Sequence, residues 1–144
     1  MTDDRVAALN RLWTAERALI DQYVARSKVA RTRGDGAEAT AFSRFAMTEM
    51  MEVSAILDRI IAIGGVPELH AVPPVDVGGT REEQVRASLD GERATIAALE
   101  GAASAASAAG DPETEDQLRG YLAEQHEHVA WLEARLGVTA SDRS

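Results

Sequence analysis

Cysteine is absent from the 144 residues of this sequence, and aromatic side chains make up only 4% of them. Without cysteine, the chain has no disulfide, no thiolate nucleophile and no metal site built on thiolates. No uninterrupted apolar run approaches the roughly 18 residues of a membrane-spanning helix. The acidic N-terminus also lacks the apolar segment of a secretory signal. These absences predict a cytoplasmic protein that does not bind membranes.

Basic residues are scarce as well, with 15 lysines and arginines against 24 aspartates and glutamates. The resulting net charge of −9 disfavours nucleic acid as a partner, because phosphate binding needs a basic face. The length suits a single core, so we expect one domain of residues 1–144.

Apolar residues recur at three- and four-residue spacing in four long segments, and almost no segment alternates as a β-strand does. A glycine follows each segment, as glycines often follow helices. Thr80 begins a capping box, and Asp111-Pro112 supplies an N-cap and a first-turn proline. The predicted helices cover residues 3–33, 37–63, 81–109 and 112–137.

Short turns make helices one and two, and helices three and four, antiparallel hairpins. The connection over residues 64–80 contains three prolines and is long enough to cross the length of a helix. The sequence therefore predicts an all-α, ferritin-like up-down-down-up four-helix bundle with one long crossover between helices two and three.

Polar residues interrupt the middle of every apolar stripe, and there are six of them: Glu16, Glu49, Glu52, Glu92, Gln125 and His128. A buried carboxylate needs a cation, a proton or hydrogen-bond partners. A shift of 76 residues relates the two halves of the chain and maps Glu16 onto Glu92, Glu49 onto Gln125, and Glu52 onto His128. Two similar hairpins thus offer the same three positions to a common centre.

Each of these residues has an ordinary interpretation when it is taken singly. A glutamate in a stripe usually lies at its edge with the carboxylate in water, and a lone core histidine is usually structural. Matched spacing in both halves favours a shared site instead. One glutamate from each of two helices plus a paired motif from each of the others is the di-iron carboxylate arrangement, and these ligands suit iron or manganese.

The chain resembles the bacterioferritins over about residues 7–137. The residues that carry the resemblance are Leu9-Asn10-Arg11-Leu12, Glu16, Gln22-Tyr23, Glu49-Met50, Arg59-Ile60, Gly64-Gly65-Val66-Pro67, Glu92, and His128 with Trp131-Leu132-Glu133. The resemblance implies a ferroxidase: the six positions would hold two irons, oxidise Fe(II) with dioxygen or peroxide, and pass Fe(III) to a mineral for iron storage or detoxification.

Two positions depart from the bacterioferritin pattern. Glu52 stands where most of these proteins have histidine, and Gln125 stands where they have a second bridging glutamate. The ligand charge is unchanged, because four carboxylates and one imidazole remain. Glu49 can still bridge two metals, whereas the bridge from Gln125 is lost to a weak carbonyl donor. We expect a metal site with altered affinity or redox behaviour.

The resemblance also implies a role for each residue. Glu16, Glu49 and Glu52 would hold one iron, and Glu92, Glu49 and His128 the second, with Gln125 weakly bound or outside the ligand set. Tyr23 would hydrogen-bond a ligand or donate one electron. Glu124 and Glu127 are substitute ligands, although both lie off the centre of the stripe.

Helices one and two carry a second apolar line: Trp13, Ile20 and Val24, then Met47, Met50, Leu57 and Ile61. A second apolar face predicts a partner surface, unless these residues only widen the core stripe. In bacterioferritins the methionine that matches Met50 is the axial haem ligand, and each of two subunits related by a two-fold axis supplies one. Methionine also commonly fills gaps in protein cores. The resemblance implies at least a homodimer through helices one and two, and haem at its axis.

Bacterioferritins form shells of twenty-four subunits in which a short fifth helix follows the bundle. Only seven residues follow Gly137 here, so we expect that helix to be missing. A smaller shell or a free dimer then fits the sequence at least as well as the shell of twenty-four subunits. Two other functions stay open. One is a haem-binding or structural dimer with a decayed metal site, and the other is a di-metal oxidase that acts on an organic substrate.

Overall fold

The computed structural model describes residues 3–137 of the chain, and within them it contains four helices and no strand. The helices are α1 (Asp4–Thr32), α2 (Gly36–Ala62), α3 (Arg81–Ala108) and α4 (Pro112–Leu136). These bounds differ from the predicted ones by at most one residue. The expected absence of a fifth helix concerns residues 138–144, which lie outside the described residues. No helix in the described part of the chain is long and apolar enough to cross a membrane.

Side-chain caps explain why the helices begin where they do. Thr80 Oγ1 accepts a hydrogen bond from the Glu83 backbone N–H at 3.1 Å. Asp111 Oδ1 accepts one from the Thr114 N–H at 3.1 Å, with Pro112 in the first turn of α4. Each bond satisfies a backbone donor that has no partner within its helix, so both predicted starts are confirmed.

The crossover between α2 and α3 lies along the outside of α1. Asn10 Nδ2 donates to the Val66 carbonyl at 3.1 Å, and Gln22 Nε2 donates to the Pro74 carbonyl at 3.0 Å. The crossover therefore runs in the same direction as α1 and delivers the chain to the far end of the bundle. As a result α3 is antiparallel to α1 and parallel to α2. The predicted up-down-down-up bundle is confirmed.

The core consists of two apolar clusters. One contains Ala8, Leu9, Leu12, Trp13, Ile56, Ile60, Leu99, Ala102, Ala103 and Leu118. The other contains Leu19, Tyr23, Phe42, Ala46, Val85, Leu89 and Leu132. The positions of these residues along all four helices leave a middle layer between the clusters, and the six polar residues of the stripes occupy it.

The second apolar line of helices one and two is only partly a surface. Trp13 and Ile20 are 9% and 8% exposed, so the prediction that they form an outer flank is wrong. Trp13 packs in the first cluster, and its indole N–H donates to Asn10 Oδ1 at 3.0 Å. The ring is therefore buried, and its N–H is hydrogen-bonded, within a single subunit. The exposed apolar residues of α1 and α2 are Val24, Met47, Met50, Met51 and Ile61.

Candidate metal centre

All six polar residues of the middle layer are buried, and none of them is more than 5% exposed. Their positions follow from helical geometry, because residues three apart, such as Glu49 and Glu52, lie on one side of a helix. A glycine helps to bring α1 and α3 together beside them. A Cβ on Gly91 would lie 2.6 Å from Leu19 Cδ2, so a larger residue next to Glu92 would displace the Leu19 side chain.

Three of the six converge closely, and we call Glu49, Glu92 and His128 the histidine half of the centre. One ligand atom of each lies within 4.8 Å of the others. His128 Nδ1 is 3.1 Å from Glu92 Oε1 and 3.6 Å from Glu49 Oε1. Helices α2, α3 and α4 each supply one of these residues. These are the residues that the sequence analysis assigned to the second iron.

The other three, Glu16, Glu52 and Gln125, form what we call the glutamine half. Gln125 Nε2 donates to Glu52 Oε1 at 2.9 Å, so it is the amide nitrogen of Gln125, and not its oxygen, that contacts the Glu52 carboxylate. Within residues 3–137, no second group of three acids or imidazoles converges as the histidine half does. The predicted trio of Glu16, Glu49 and Glu52 is therefore not brought together to that distance.

Most of the side-chain oxygens in this layer have no hydrogen-bond donor other than a neighbouring carboxyl group. They are both oxygens of Glu16 and of Glu49, together with Glu52 Oε2, Glu92 Oε2 and Gln125 Oε1. A buried polar atom without a partner costs on the order of 1–3 kcal/mol, and a charged one costs more. A divalent cation would satisfy several of these oxygens at once. The donor set of carboxylates and one imidazole fits iron.

Burial also changes the ionisation of the centre. It raises the pKa of Glu16 from 4.5 to about 7, and the charge of Glu92 acts in the same direction. Burial raises the pKa of Glu49 well above its usual range, again with support from Glu92. Burial raises the pKa of Glu52 as well. Without a cation, these acids retain protons that a metal ion would displace.

Two aromatic side chains hold the histidine half in place. Tyr23 Oη donates to Glu92 Oε1 at 2.6 Å, and burial raises the pKa of this phenol. The Phe45 ring stacks on the His128 ring with 4.0 Å between their centroids. Phe45 was not among the predicted site residues. Its position four residues before Glu49, on the same side of α2, is the signal that could have found it.

A surface hollow of about 300 Å³ between α2 and α4 reaches the centre. It is lined by Ala41, Arg44, Phe45, Thr48, Glu127, His128 and Trp131. Glu127 is exposed and lies at the hollow. Glu124 is exposed as well, but its carboxyl group hydrogen-bonds that of Glu52 at the edge of the centre. Met50, at 45% exposed, lies outside the buried layer as well. A small oxidant or a metal ion can therefore approach His128 from the solvent.

The fold and the site define a four-helix bundle with a buried carboxylate and histidine centre between two apolar clusters. The sequence comparisons are more specific. The model of the ferritin-like domain matches residues 6–141, and the chain belongs to the ferritin-like domain family.

Several relatives extend this result. A bacterial ferritin of Synechocystis sp. is 30% identical over 134 residues, which cover 92% of this chain and 86% of that protein. A bacterioferritin of Mycobacterium leprae is 30% identical over 137 residues, 94% of this chain and 85% of that one. A bacterial ferritin of Pseudomonas aeruginosa is 32% identical over 135 residues, 92% and 86% of the two chains. The resemblance to bacterioferritins is confirmed.

Proposed function

We propose that this protein binds Fe(II) in the buried centre and oxidises it for iron storage or detoxification. The observation that carries the proposal is the convergence of Glu49, Glu92 and His128 among buried oxygens that have no hydrogen-bond donor other than a neighbouring carboxyl group. The names of the similar proteins, bacterial ferritin and bacterioferritin, support the same function.

The residues of the centre would perform separate tasks. Glu49, Glu92 and His128 would hold one Fe(II), and Glu16 and Glu52 would hold another, with Glu49 able to contact both. Ligand carboxylates release their protons as Fe(II) binds, and their negative charge favours the more highly charged Fe(III). The electrons pass to dioxygen or peroxide, which reaches the centre through the hollow at His128.

Tyr23 would act on this reaction through Glu92. Its hydroxyl donates to Glu92 Oε1, which leaves Oε2 of the same carboxylate free for a metal ion. A ligand oriented in this way loses less freedom when the metal binds. A role of Tyr23 as a one-electron donor is part of the same proposal.

In air, Fe(II) should be oxidised several times faster with the purified chain than in buffer alone. The protein is freed of metal with a chelator, loaded with Fe(II) without oxygen, and then mixed with air or peroxide. The near-ultraviolet absorbance of Fe(III) follows the reaction, and denatured chain at the same concentration serves as control. Oxidation no faster than in that control would contradict the proposed function.

A second candidate function is a haem-binding homodimer, and the exposed methionines favour it. Met47 and Met50 are 60% and 45% exposed on α2, where thioethers would be poorly solvated in a lone subunit. A two-fold contact through α1 and α2 would cover them and place two copies of Met50 opposite each other. A pair of thioethers is a reasonable axial ligand set for haem iron.

Replacing Met50 by leucine should keep the dimer and remove any haem. Leucine nearly conserves the volume, so the contact between subunits is retained, but it offers no sulfur to iron. Sedimentation measures the dimer, and the Soret absorbance after expression with added haem precursor measures the haem. Met51→Leu, one residue further on the exposed side of α2, is the matched control. A monomeric parent protein would contradict the dimer, and haem retained by Met50→Leu would contradict the ligand.

A further inference from the structure

The two halves of the metal centre are related by the 76-residue shift and yet are built differently. The shift maps each residue of the glutamine half (Glu16, Glu52 and Gln125) onto one of the histidine half (Glu92, His128 and Glu49). In a symmetrical centre the two sets would bind metal alike. The contacts around them differ in three respects.

The first difference is the donor set. The histidine half offers two carboxylates and an imidazole, whereas the glutamine half offers two carboxylates and an amide. Imidazole is a good ligand for late first-row divalent ions, while an amide oxygen is weak and suits harder ions. Their formal charges are equal when His128 is neutral, so the difference lies in ligand type.

The second difference is the hydrogen bond inside the glutamine half. Gln125 Nε2 donates to Glu52 Oε1 at 2.9 Å and so occupies one of the two oxygens that this half would use. A metal ion must either bind the remaining Oε2 or break the bond. The amide hydrogens of Gln125 face a carboxylate, and a positively charged ion cannot replace them without turning the side chain.

The third difference is support from neighbouring side chains. In the histidine half, Tyr23 holds Glu92 and Phe45 stacks on His128. The 76-residue shift maps Tyr23 onto Leu99, and leucine cannot donate a hydrogen bond. Accordingly neither oxygen of Glu16, the counterpart of Glu92, accepts a hydrogen bond from a phenol, an imidazole or a backbone N–H, and its hydrogen-bond partner is the Glu52 carboxyl group. Two side chains outside the ligand set therefore hold the histidine half in place, whereas Glu16 has no support of that kind.

We propose that the centre binds two divalent ions unequally, the first tightly in the histidine half and the second much more weakly in the glutamine half. This inference rests on the proposed function, because it assumes that the buried layer binds metal. It adds an order of loading that the hydrogen bond from Gln125 to Glu52 imposes. At a low concentration of metal, the protein holds a single ion per chain.

Titration of the metal-free, full-length chain with Co(II) tests this inference without using oxidation as the readout. The visible absorbance of Co(II) and competition with a chelator measure stoichiometry and affinity. We expect one tight equivalent per chain and a second that binds at least tenfold more weakly. His128→Ala should remove the tight equivalent, and Glu52→Gln should remove the weak one.

Gln125→Glu should strengthen the second equivalent at least tenfold, because it replaces a hydrogen-bond donor with a carboxylate ligand. Gln117→Glu makes the same change two turns earlier on α4, outside the centre, and should leave both equivalents unaltered. Two equivalents of equal affinity in the parent chain would overturn the unequal binding but leave the proposed function standing. Failure to bind any Co(II) would overturn the proposed function itself. The parent titration decides the question even if Gln125→Glu does not fold.

Discussion

Fe(II) oxidation should fall at least a hundredfold when Glu49 is replaced by alanine. Glu49 is fully buried, has no hydrogen-bond donor other than the Glu92 carboxyl group, and has its Oε1 3.6 Å from His128 Nδ1. With glutamine at position 125, it is also the acid that we propose contacts ions in both halves of the centre. Its loss would remove a ligand of the histidine half and this link between the two halves.

Stopped-flow absorbance of Fe(III) measures this loss under the conditions used for the parent chain. Glu100→Ala, on an exposed position of α3, is the matched control and should leave the rate unchanged. Circular dichroism checks that both variants remain helical. A rate for Glu49→Ala within threefold of the parent rate would show that the centre does not carry the oxidation.

The metal-free protein should lose stability as the pH rises from 5 to 8. The pKa of Glu16 is raised from 4.5 in the unfolded chain to about 7 in the folded one, and Glu49 is raised further. The folded state therefore binds more protons than the unfolded state across this window, and the free energy of unfolding decreases with pH. For Glu16 alone, the difference between the two pKa values corresponds to about 3 kcal/mol.

Urea denaturation at pH 5 and pH 8, with a chelator present, measures the effect. Glu16→Gln should reduce the pH dependence, because the amide has no proton to lose, while the contribution of Glu49 remains. A divalent ion should restore stability at pH 8, where the deprotonated carboxylates bind it best. A metal-free protein that is equally stable or more stable at pH 8 would contradict the raised pKa values.

The helices and the depth of the candidate ligands could be predicted from the sequence. The period of the apolar stripes determines which side of each helix faces the core, and this is a local property of one segment. For the same reason Glu16 and Glu92 could be placed in the middle of the bundle. The caps at Thr80 and Asp111 are local as well, since each side chain bonds a backbone N–H three residues away.

Contacts between helices could not be predicted in the same way. Periodicity gives a residue's direction around its own helix, but the distance between two atoms on different helices depends on how the helices pack and on side-chain rotamers. Glu49 was predicted to bind both irons, whereas among the described residues it converges only with Glu92 and His128. The same limit explains the errors at Trp13 and Ile20, whose stripe could face either a neighbouring helix or solvent.

The sequence by itself determined four amphipathic helices, a crossover between the two hairpins, and six polar residues at equal depth, because each is recorded in local spacing. Only the tertiary structure decided that Glu49, Glu92 and His128 meet while Gln125 bonds Glu52. It also decided that the crossover lies along α1, tied by Asn10 and Gln22. In both cases, side chains that are distant in sequence compete for the same partners. No local pattern predicts which of these contacts forms.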